Sequence, residues 1–294
     1  MSTQVAAPAA AGAAVRWGLA PHSFELRSSD RRVLDRAAVV FRPWMSSVRV
    51  DAAQKWTIVP VSDEAGCWSL LTEGAETRQV PADPSAAVRR VEYLAVQAIF
   101  DGPPDVLTVH AALVARRGRG VLIAGVPEAG KSTLACALWQ HGFSLLGDDV
   151  AIVDLERMTA SPAPRRVSLR RSSRALLGDD LWTRIEHAPA SDPTDEGYVF
   201  HPHEIDGGSL ASVELKAIVF LGRANAGTMT AVIRPLAGAR AALALLPCAN
   251  LSRRVDPGTL IARFAPCLTA VPAYDLRRAP LDEMVAAVRG IIGS

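Results

Sequence analysis

The chain has 294 residues, of which 49% are hydrophobic and 21% are charged, and its formal net charge is +2 at pH 7. This length is enough for one large domain or two smaller ones, and the composition is typical of a folded soluble protein. A charge balance so close to zero gives no reason to expect nucleic acid or a membrane surface as a partner.

The N-terminal segment, residues 1–14, is uncharged and of low complexity. Because it lacks the basic start and the apolar centre of a signal peptide, we predict a disordered tail. No apolar run reaches the roughly 18 residues that a membrane span needs. The cysteines form no C-x-x-C pair, which disfavours a zinc site and favours a reduced, cytoplasmic protein. They are Cys67, Cys136, Cys248 and Cys267.

Residues 15–100 are predicted to form a small α+β domain. Short apolar runs indicate strands at residues 24–28, 55–61 and 66–74. A helix is predicted for residues 83–100, with Asp83 as its cap and Pro84 in its first turn. Tryptophans most simply anchor this domain, and a peptide-binding groove is the alternative interpretation. They are Trp17, Trp44, Trp56 and Trp68.

A second domain, residues 101–294, is predicted to begin at the DGPPD segment, residues 101–105. Two apolar runs then flank the turn sequence ARRGRG, which predicts a β-hairpin with His110 on its first strand. The second strand of this hairpin leads directly into a glycine-containing loop at residues 125–132.

That loop, GVPEAGKS, matches the phosphate-binding pattern G-x-x-x-x-G-K-[ST] without deviation. Its glycines let main-chain amides turn inward around phosphate groups, at the positive end of the following helix. Lys131 adds a full charge at the outer phosphates, and the Ser132 hydroxyl is placed to bind Mg²⁺. The predicted nucleotide contacts are Gly125, Val126, Pro127, Glu128, Ala129, Gly130, Lys131, Ser132 and Thr133.

Two adjacent aspartates, Asp148 and Asp149, follow the predicted helix at residues 132–141. They lie within residues 143–154, an apolar run that is predicted to be a strand. In an extended strand the two side chains would point to opposite faces. The pair therefore divides its roles between an acceptor hydroxyl and Mg²⁺, or the strand has ended at this point. A solvated turn without a role in a site is the third interpretation.

An arginine-dense segment follows at residues 165–174. Guanidinium groups bind phosphate oxygens, although a solvated basic face is the alternative. On a strand, Arg166 and Arg170 would share one face, and Arg165 and Arg171 would share the other. The segment contains Arg165, Arg166, Arg170, Arg171 and Arg174.

The polar residues 187–209 are predicted to be a loop. His201 and His203, with Glu204 beside them, could bind a metal, although a loop histidine pair more often binds none. The remaining predicted elements are strands at residues 214–223 and 228–236 and helices at residues 237–250 and 280–293.

Several classes of nucleotide-binding protein are disfavoured. The sequence has no N-K-x-D motif, which guanine-specific switch proteins use to recognise the base, and no LSGGQ segment of transporter-type ATPases.

The stretch from HAALV through GRGVLIAGVPEAGKSTLACALWQHGFSLLGDDVAIV resembles the catalytic core of HPr kinase/phosphorylase. That family has a histidine on the strand before the loop, a hairpin, the phosphate loop, a short helix and an Asp-Asp pair. The matching positions are His110, residues 125–132, Asp148 and Asp149. A looser resemblance to HPr-kinase-related kinases extends through the C-terminal part. The resemblance implies an α/β P-loop kinase core of HPr-kinase type with a mixed sheet, beside the small α+β domain.

The resemblance also implies ATP- and Mg²⁺-dependent transfer of the γ-phosphoryl group to a serine hydroxyl of a peptide or small protein. It assigns Asp148 as the base that accepts the hydroxyl proton, and it places Asp149 and Ser132 near the metal. His110 is placed beside the phosphates, with Lys131 as a further catalytic residue. This assignment agrees with the needs of phosphoryl transfer, which are positioning, charge neutralisation and a carboxylate near the nucleophile.

The sequence departs from the family where an EIRGLG-type signature is expected, since it reads APRRVSLRRSSRALLG there. The family's metal-linked glutamate has no counterpart. Phosphorolysis and the family's hexamer are therefore not implied. Whether the chain forms a homo-oligomer is left undecided by the sequence. Related kinases phosphorylate ribosomally made precursor peptides, which makes such a peptide the preferred acceptor, with residues 15–100 as a candidate for presenting it. The alternatives are a small-molecule kinase for an amino acid or sugar, and a nucleotide-binding regulatory protein without transfer.

Overall fold

The computed structural model describes residues 13–19, 22–47, 53–60, 67–72, 78–100, 106–207, 211–222, 230–250 and 256–292. The predicted boundary at residues 101–105 lies outside these ranges, as does the predicted tail except for its last two residues. Ala14 already belongs to a strand, because it pairs with Arg27 of the next strand. The chain divides into two compact units, Met1–Leu94 and Ala95–Ser294.

The first unit contains a five-stranded mixed sheet. Its elements, in chain order, are β1 (Ala14–Leu19), β2 (His22–Ser28), α1 (Arg31–Val40), a 3-10 turn (Arg42–Ser47), β3 (Ala53–Pro60), β4 (Cys67–Thr72), β5 (Arg78–Pro81) and α2 (Pro84–Phe100), within which the division into units falls. The strands lie in the order β1-β2-β3-β4-β5, and only β2 and β3 are parallel. As predicted, Asp83 caps α2, since its carboxylate accepts the Ala86 amide hydrogen at 2.6 Å.

Aromatic rings fill the core of the first unit. Trp17 stacks on Phe41 with ring centroids 3.9 Å apart, and it also packs against Phe24 and Trp56. All four tryptophans of this unit are buried, as their anchoring role predicts. Large rings of this kind contribute much of the apolar area that a small unit can bury.

The second unit is mixed α/β. Its strands are β6 (Val106–Val109), β7 (Ala111–Arg116), β8 (Arg119–Ala124), β9 (Ser144–Gly147), β10 (Ala151–Asp154), β11 (Thr159–Pro162), β12 (Val167–Arg170), β13 (Asp192–Pro193), β14 (Gly197–Phe200), β15 (Val213–Leu221), β16 (Ile233–Pro235), β17 (Ala249–Asn250) and β18 (Ala273–Leu276). Its helices after α2 are α3 (Lys131–Gln140), α4 (Arg174–Leu177), α5 (Asp179–Glu186), α6 (His203–Asp206), α7 (Gly238–Leu245), α8 (Pro257–Ala270) and α9 (Leu281–Ile292), with a 3-10 turn at Arg171–Ser173. Across the described ranges, no helix combines the length and the apolar character that a bilayer crossing requires.

Among the described residues, ten strands form one mixed sheet in the order β17-β6-β10-β11-β15-β8-β7-β9, with β18 on β15 and β16 on β18. Strands β8, β15 and β18 are parallel, whereas β7 runs antiparallel to both β8 and β9. The carboxyl ends of β8 and β9 and the first residue of β7 therefore lie at the same edge of the sheet.

Both faces of this sheet are buried. Because side chains alternate along a strand, Ala112 and Ile123 join one core, whereas Leu113 and Leu122 join the other. Helices α3 and α9 contribute to the first core, and α7 and α8 contribute to the second. The sheet is thus the middle layer between two layers of helices.

A separate three-stranded antiparallel sheet, in the order β12-β14-β13, packs its apolar side chains into the first core. Gly197 lies opposite Arg170, and a Cβ added to Gly197 would be 2.0 Å from the Leu169 carbonyl oxygen. Only glycine permits this approach of the two strands. Just after β12, the Ser173 hydroxyl lies 2.8 Å from the Thr133 hydroxyl at the start of α3.

The C-terminal part differs from the prediction in several elements. Residues 187–209 were predicted to be a loop but contain β13, β14 and α6. The helix predicted for residues 237–250 ends at Leu245, because the chain then turns to pair with β6. Helix α8 was not predicted, although Asp256 caps its first turn.

Candidate functional site

The candidate site lies where three segments meet at one edge of the large sheet. Strand β8 ends at this edge and leads into residues 125–132, and β9 ends there just before Asp148. His110 lies between β6 and β7, and the β6 and β10 register pairs Val109 with Ala151. The sheet therefore brings the predicted loop, the histidine and the acidic pair together at one edge.

The loop at residues 125–132 requires glycine at two points. A Cβ at Gly125 would lie 2.9 Å from the Leu221 carbonyl oxygen, so the loop packs closely on the end of β15. Gly130 has a φ of 96° and caps α3, a conformation that L side chains rarely adopt. Glu128 also has a positive φ of 66°. The loop thus ends at the N-terminus of a ten-residue helix, where main-chain amides and the helix dipole favour anions.

Lys131 is buried beneath the loop, with 6% of the residue exposed. Its ammonium donates hydrogen bonds to the carbonyl oxygens of Gly125 at 3.0 Å and Val126 at 3.2 Å. Burial lowers the pKa of this ammonium, and the nearby carboxylates Asp148 and Asp149 oppose that change. A buried cation bonded to loop carbonyls is available to an anion that enters the loop.

Asp148 is joined directly to the loop. Its Oδ2 accepts hydrogen bonds from the Ser132 hydroxyl at 2.9 Å and from the Ser168 amide at 3.1 Å. Burial, followed by the negative charge of Asp149, raises the pKa of Asp148 to about 6, although Arg165 and the two hydrogen bonds oppose this rise. This carboxyl group therefore binds its proton at a higher pH than an ordinary aspartate does.

Asp149 lies between two donors. His110 Nδ1 is 2.9 Å from both the main-chain oxygen and Oδ1 of Asp149, so Nδ1 carries the hydrogen. Arg165 Nη1 donates to Oδ2. Burial alone would raise the pKa of Asp149, but the His110 hydrogen bond and the charge of Arg165 lower it below the ordinary value. Asp149 is thus the member of the pair that ionises at the lower pH.

The run at residues 143–154 is two strands and not one. Strand β9 ends at Gly147 and β10 begins at Ala151, so both aspartates lie in the turn between them. Of the interpretations considered for this run, the end of the strand is the correct one. Because the backbone turns here, neither carboxylate is carried to the far face of the sheet, and both remain at the same edge as the loop.

The arginine-dense segment does not behave as a single strand. Strand β12 begins at Val167, so Arg165 and Arg166 precede it, and the predicted sharing of faces is wrong for them. Arg165 contacts Asp149, whereas Arg166 is buried elsewhere. Arg170 lies at the end of β12 and pairs with Glu128 of the loop at 2.9 Å.

Two contributions to the site could not be read from a motif. One is the arginine segment, which the sequence marked only by composition. The other is Cys248, whose carbonyl accepts the His110 amide hydrogen at 2.6 Å. Burial raises the pKa of the Cys248 thiol, and a hydrogen bond from the Gly125 amide opposes that rise. A lone cysteine within the helix predicted for residues 237–250 gives no sequence signal for this position.

The structure does not support the metal site considered for His201, His203 and Glu204. His201 is buried, and its ring centroid lies 5.0 Å from that of His203. Glu204 accepts the Ala190 amide hydrogen at 2.7 Å, so it is engaged in the local fold. In the part of the chain that the structure describes, no group of three or more His, Cys, Asp or Glu side chains is arranged to hold a metal.

The residues at the sheet edge fit a polyphosphate with a divalent cation. Main-chain amides of the loop and Lys131 could hold phosphate oxygens. The Ser132 hydroxyl and the Asp148 carboxylate, already within hydrogen-bond distance, are oxygen ligands of the type that Mg²⁺ prefers. Asp149 and His110 lie beside Ser132 and Asp148, and they could contact a second molecule that reacts with the polyphosphate.

Comparison with known proteins adds little to this geometry. No protein-family model and no curated protein matches the chain. Among solved structures, the chain is similar to an HPr(Ser) kinase/phosphatase from Coxiella burnetii, with 14% sequence identity and a TM-score of 0.32 over 63% of this chain and 93% of that chain. A similarity at this level carries no argument about function.

Proposed function

We propose that this protein is an ATP- and Mg²⁺-dependent phosphotransferase that phosphorylates a serine-type hydroxyl of a peptide or small protein. The observation that supports the proposal best is the hydrogen bond between the Ser132 hydroxyl and Asp148, with Asp149 and His110 beside it. It unites the end of a phosphate-binding loop with two carboxylates and a histidine. A ribosomally made precursor peptide is the acceptor we favour.

Nucleotide binding is assigned to the loop. Main-chain amides of residues 125–132 surround the phosphates, and Lys131 moves its hydrogen bonds from loop carbonyls to phosphate oxygens. Thr133, in the first turn of α3, lies beside the same helix N-terminus. Mg²⁺, when bound, would neutralise charge on the β- and γ-phosphate oxygens.

The acidic pair is assigned two tasks. The resemblance implies that Asp148 is the base and Asp149 the metal-side residue, and this assignment stays a prediction. The contacts favour the reverse division. Asp148 is bonded to Ser132, the predicted metal ligand, whereas Asp149 is more exposed and is held by His110. In a loose phosphoryl-transfer transition state the acceptor needs orientation more than a strong base, which suits an ionised Asp149.

The test is incubation of the protein with γ-labelled ATP, Mg²⁺ and candidate acceptor peptides, with mass spectrometry to locate the phosphate. Transfer to a serine of a peptide supports the proposal, and Lys131→Ala is the matched inactive control. If a free amino acid or sugar is labelled and no peptide is, the protein is a small-molecule kinase and the proposed peptide acceptor is wrong. Tight ATP binding without any labelled product favours a regulatory nucleotide-binding protein.

A further inference from the structure

Arg165 lies at the candidate site but belongs to no recognised motif. Its guanidinium donates from Nη1 to Asp149 Oδ2, opposite the side of the carboxylate that His110 contacts. The Arg165 side chain is 33% exposed and that of Asp149 is 25% exposed, so the pair is partly removed from water. Charge-assisted hydrogen bonds in such surroundings are stronger and more directional than those on the surface.

The segment that carries Arg165 is anchored in the protein interior by its neighbour. Arg166 is 1% exposed, and it donates to the Ala190 carbonyl at 2.8 Å and to Asp192 at 2.5 Å. A buried arginine with matched acceptors has little freedom, because movement would leave a charge without a partner. The backbone at Arg165 therefore has a fixed position.

The same segment also contacts the other aspartate. The Ser168 amide donates to Asp148 Oδ2 at 3.1 Å, while Arg165 donates to Asp149. The Arg165 amide itself donates to the Ala163 carbonyl at 2.7 Å, which closes a tight turn. Residues 165–168 thus contact both carboxylates at once.

Two adjacent carboxylates repel each other, and each needs a donor to remain in a defined orientation. Asp148 has Ser132 and the Ser168 amide, whereas Asp149 has His110 and Arg165. Of these partners, only Arg165 brings a permanent positive charge. Its removal would leave Asp149 free to turn away from His110.

We propose that Arg165 is a positioning residue of the phosphotransfer site, which fixes the Asp149 carboxylate against His110 so that it faces the incoming hydroxyl. The inference rests on the proposed function, since it names the group that orients the acidic residue of that same site. It also assigns a specific task to one arginine of a segment that composition alone describes as a basic face.

The first experiment compares Arg165→Gln and Arg165→Lys with the wild-type protein in the phosphotransfer assay. We expect kcat to fall about 10- to 100-fold in Arg165→Gln, with the nucleotide Kd changed less than about 3-fold, because orientation and not binding is lost. Added guanidinium ion should restore part of kcat in Arg165→Gln but not in the wild type. Arg157→Gln, which breaks the Arg157–Asp154 pair in the turn between β10 and β11, is the matched control and should retain full activity.

The second experiment needs neither nucleotide nor activity. Arg165→Gln should lower Tm by about 2–6 °C in the wild-type background and have little effect in the Asp149→Asn background, since the variant carboxamide no longer needs a cation. If the two substitutions lower Tm additively, or if Arg165→Gln keeps kcat within about 3-fold of wild type, the inference is overturned. If the coupling is present but the wild type transfers no phosphoryl group, the proposed function fails while the Arg165–Asp149 contact stands.

Discussion

The Ser132 hydroxyl donates a hydrogen bond of 2.9 Å to Asp148 Oδ2, and this bond joins the first turn of α3 to the residue that follows β9. The residue after the loop lysine and the first residue of the acidic pair are therefore one unit of structure. A change at either position is expected to act on the other.

This unit gives a way to separate the roles of the two aspartates. Asp148→Asn should weaken Mg²⁺-dependent nucleotide binding by about 10-fold or more, because a carboxamide is a poor Mg²⁺ ligand. Asp149→Asn should leave that affinity nearly unchanged and reduce kcat by about 100-fold or more. Calorimetric titration with a non-hydrolysable ATP analogue, with and without Mg²⁺, measures the first effect, and the phosphotransfer assay measures the second. The opposite pattern would restore the assignment that the resemblance implies.

The raised pKa of Asp148 predicts a dependence of stability on pH. The folded protein binds this proton up to about pH 6, whereas the unfolded chain loses it near the ordinary value of 3.8. Between these values stability falls as pH rises, and above pH 6 the full cost of the buried charge is present.

Asp148→Asn removes that cost. In the absence of nucleotide, the variant should be more stable than wild type at pH 7 to 8 by on the order of 1–2 kcal/mol, and the difference should shrink as the pH falls toward 4. Chemical denaturation at several pH values measures it. A wild-type protein that is the more stable of the two at pH 8 would contradict the expectation. Such a gain of stability with a loss of activity is common at functional sites.

Lys131→Ala should strongly weaken nucleotide binding without unfolding the protein. The ammonium is bonded to the carbonyl oxygens of Gly125 and Val126, and its loss removes the charge that would face the outer phosphates. We expect affinity for ATP to fall about 100-fold or more, with Tm lowered by no more than about 5 °C. Lys216→Ala, at a half-buried lysine paired with Glu214, is the control and should bind ATP normally.

Gly197→Ala tests the close approach of β12 and β14. The added Cβ would lie 2.0 Å from the Leu169 carbonyl oxygen and 2.9 Å from the Arg170 Cα atom, and both are backbone atoms that cannot rotate away. We expect a loss of about 2–4 kcal/mol in the free energy of unfolding. Gly290→Ala is the matched control, because its Cβ would meet no atom within 4 Å and α9 would gain helix propensity. Equal stability of the two variants would contradict the close contact.

The sequence was sufficient to predict the loop and helix at the centre of the candidate site. The pattern at residues 125–132 encodes its own geometry, since Gly130 must adopt a positive φ and the lysine must follow it. The amphipathic and apolar periods of α2, α3, β15 and α9 were also readable, because these elements are long enough for a period to repeat. The elements that could be predicted are therefore those whose structure is determined by residues close together in the sequence.

Tertiary contacts account for what was missed. Strand β12 and the strands that pair with it contain only two to four residues each, which is too short for an alternation to be recognised. Arg165 and Arg166 are adjacent and chemically identical. Only the tertiary structure determines that Arg165 pairs with Asp149 and Arg166 with Asp192. The sequence did not decide whether a turn separates β9 from β10, because Asp148 and Asp149 interrupt an apolar run that continues on both sides.

The parallel pairing of β8 with β15, and of β15 with β18, has a consequence for the protein while it is being made. The ribosome releases β8 and the loop that follows it long before β15 exists to pair with them. Until then, the apolar β8 has only β7 beside it on the nascent chain, where an open edge invites misfolding or chaperone capture. The loop also packs on Leu221 at the end of β15, so we expect a nascent chain to acquire affinity for nucleotide only after translation has passed that residue.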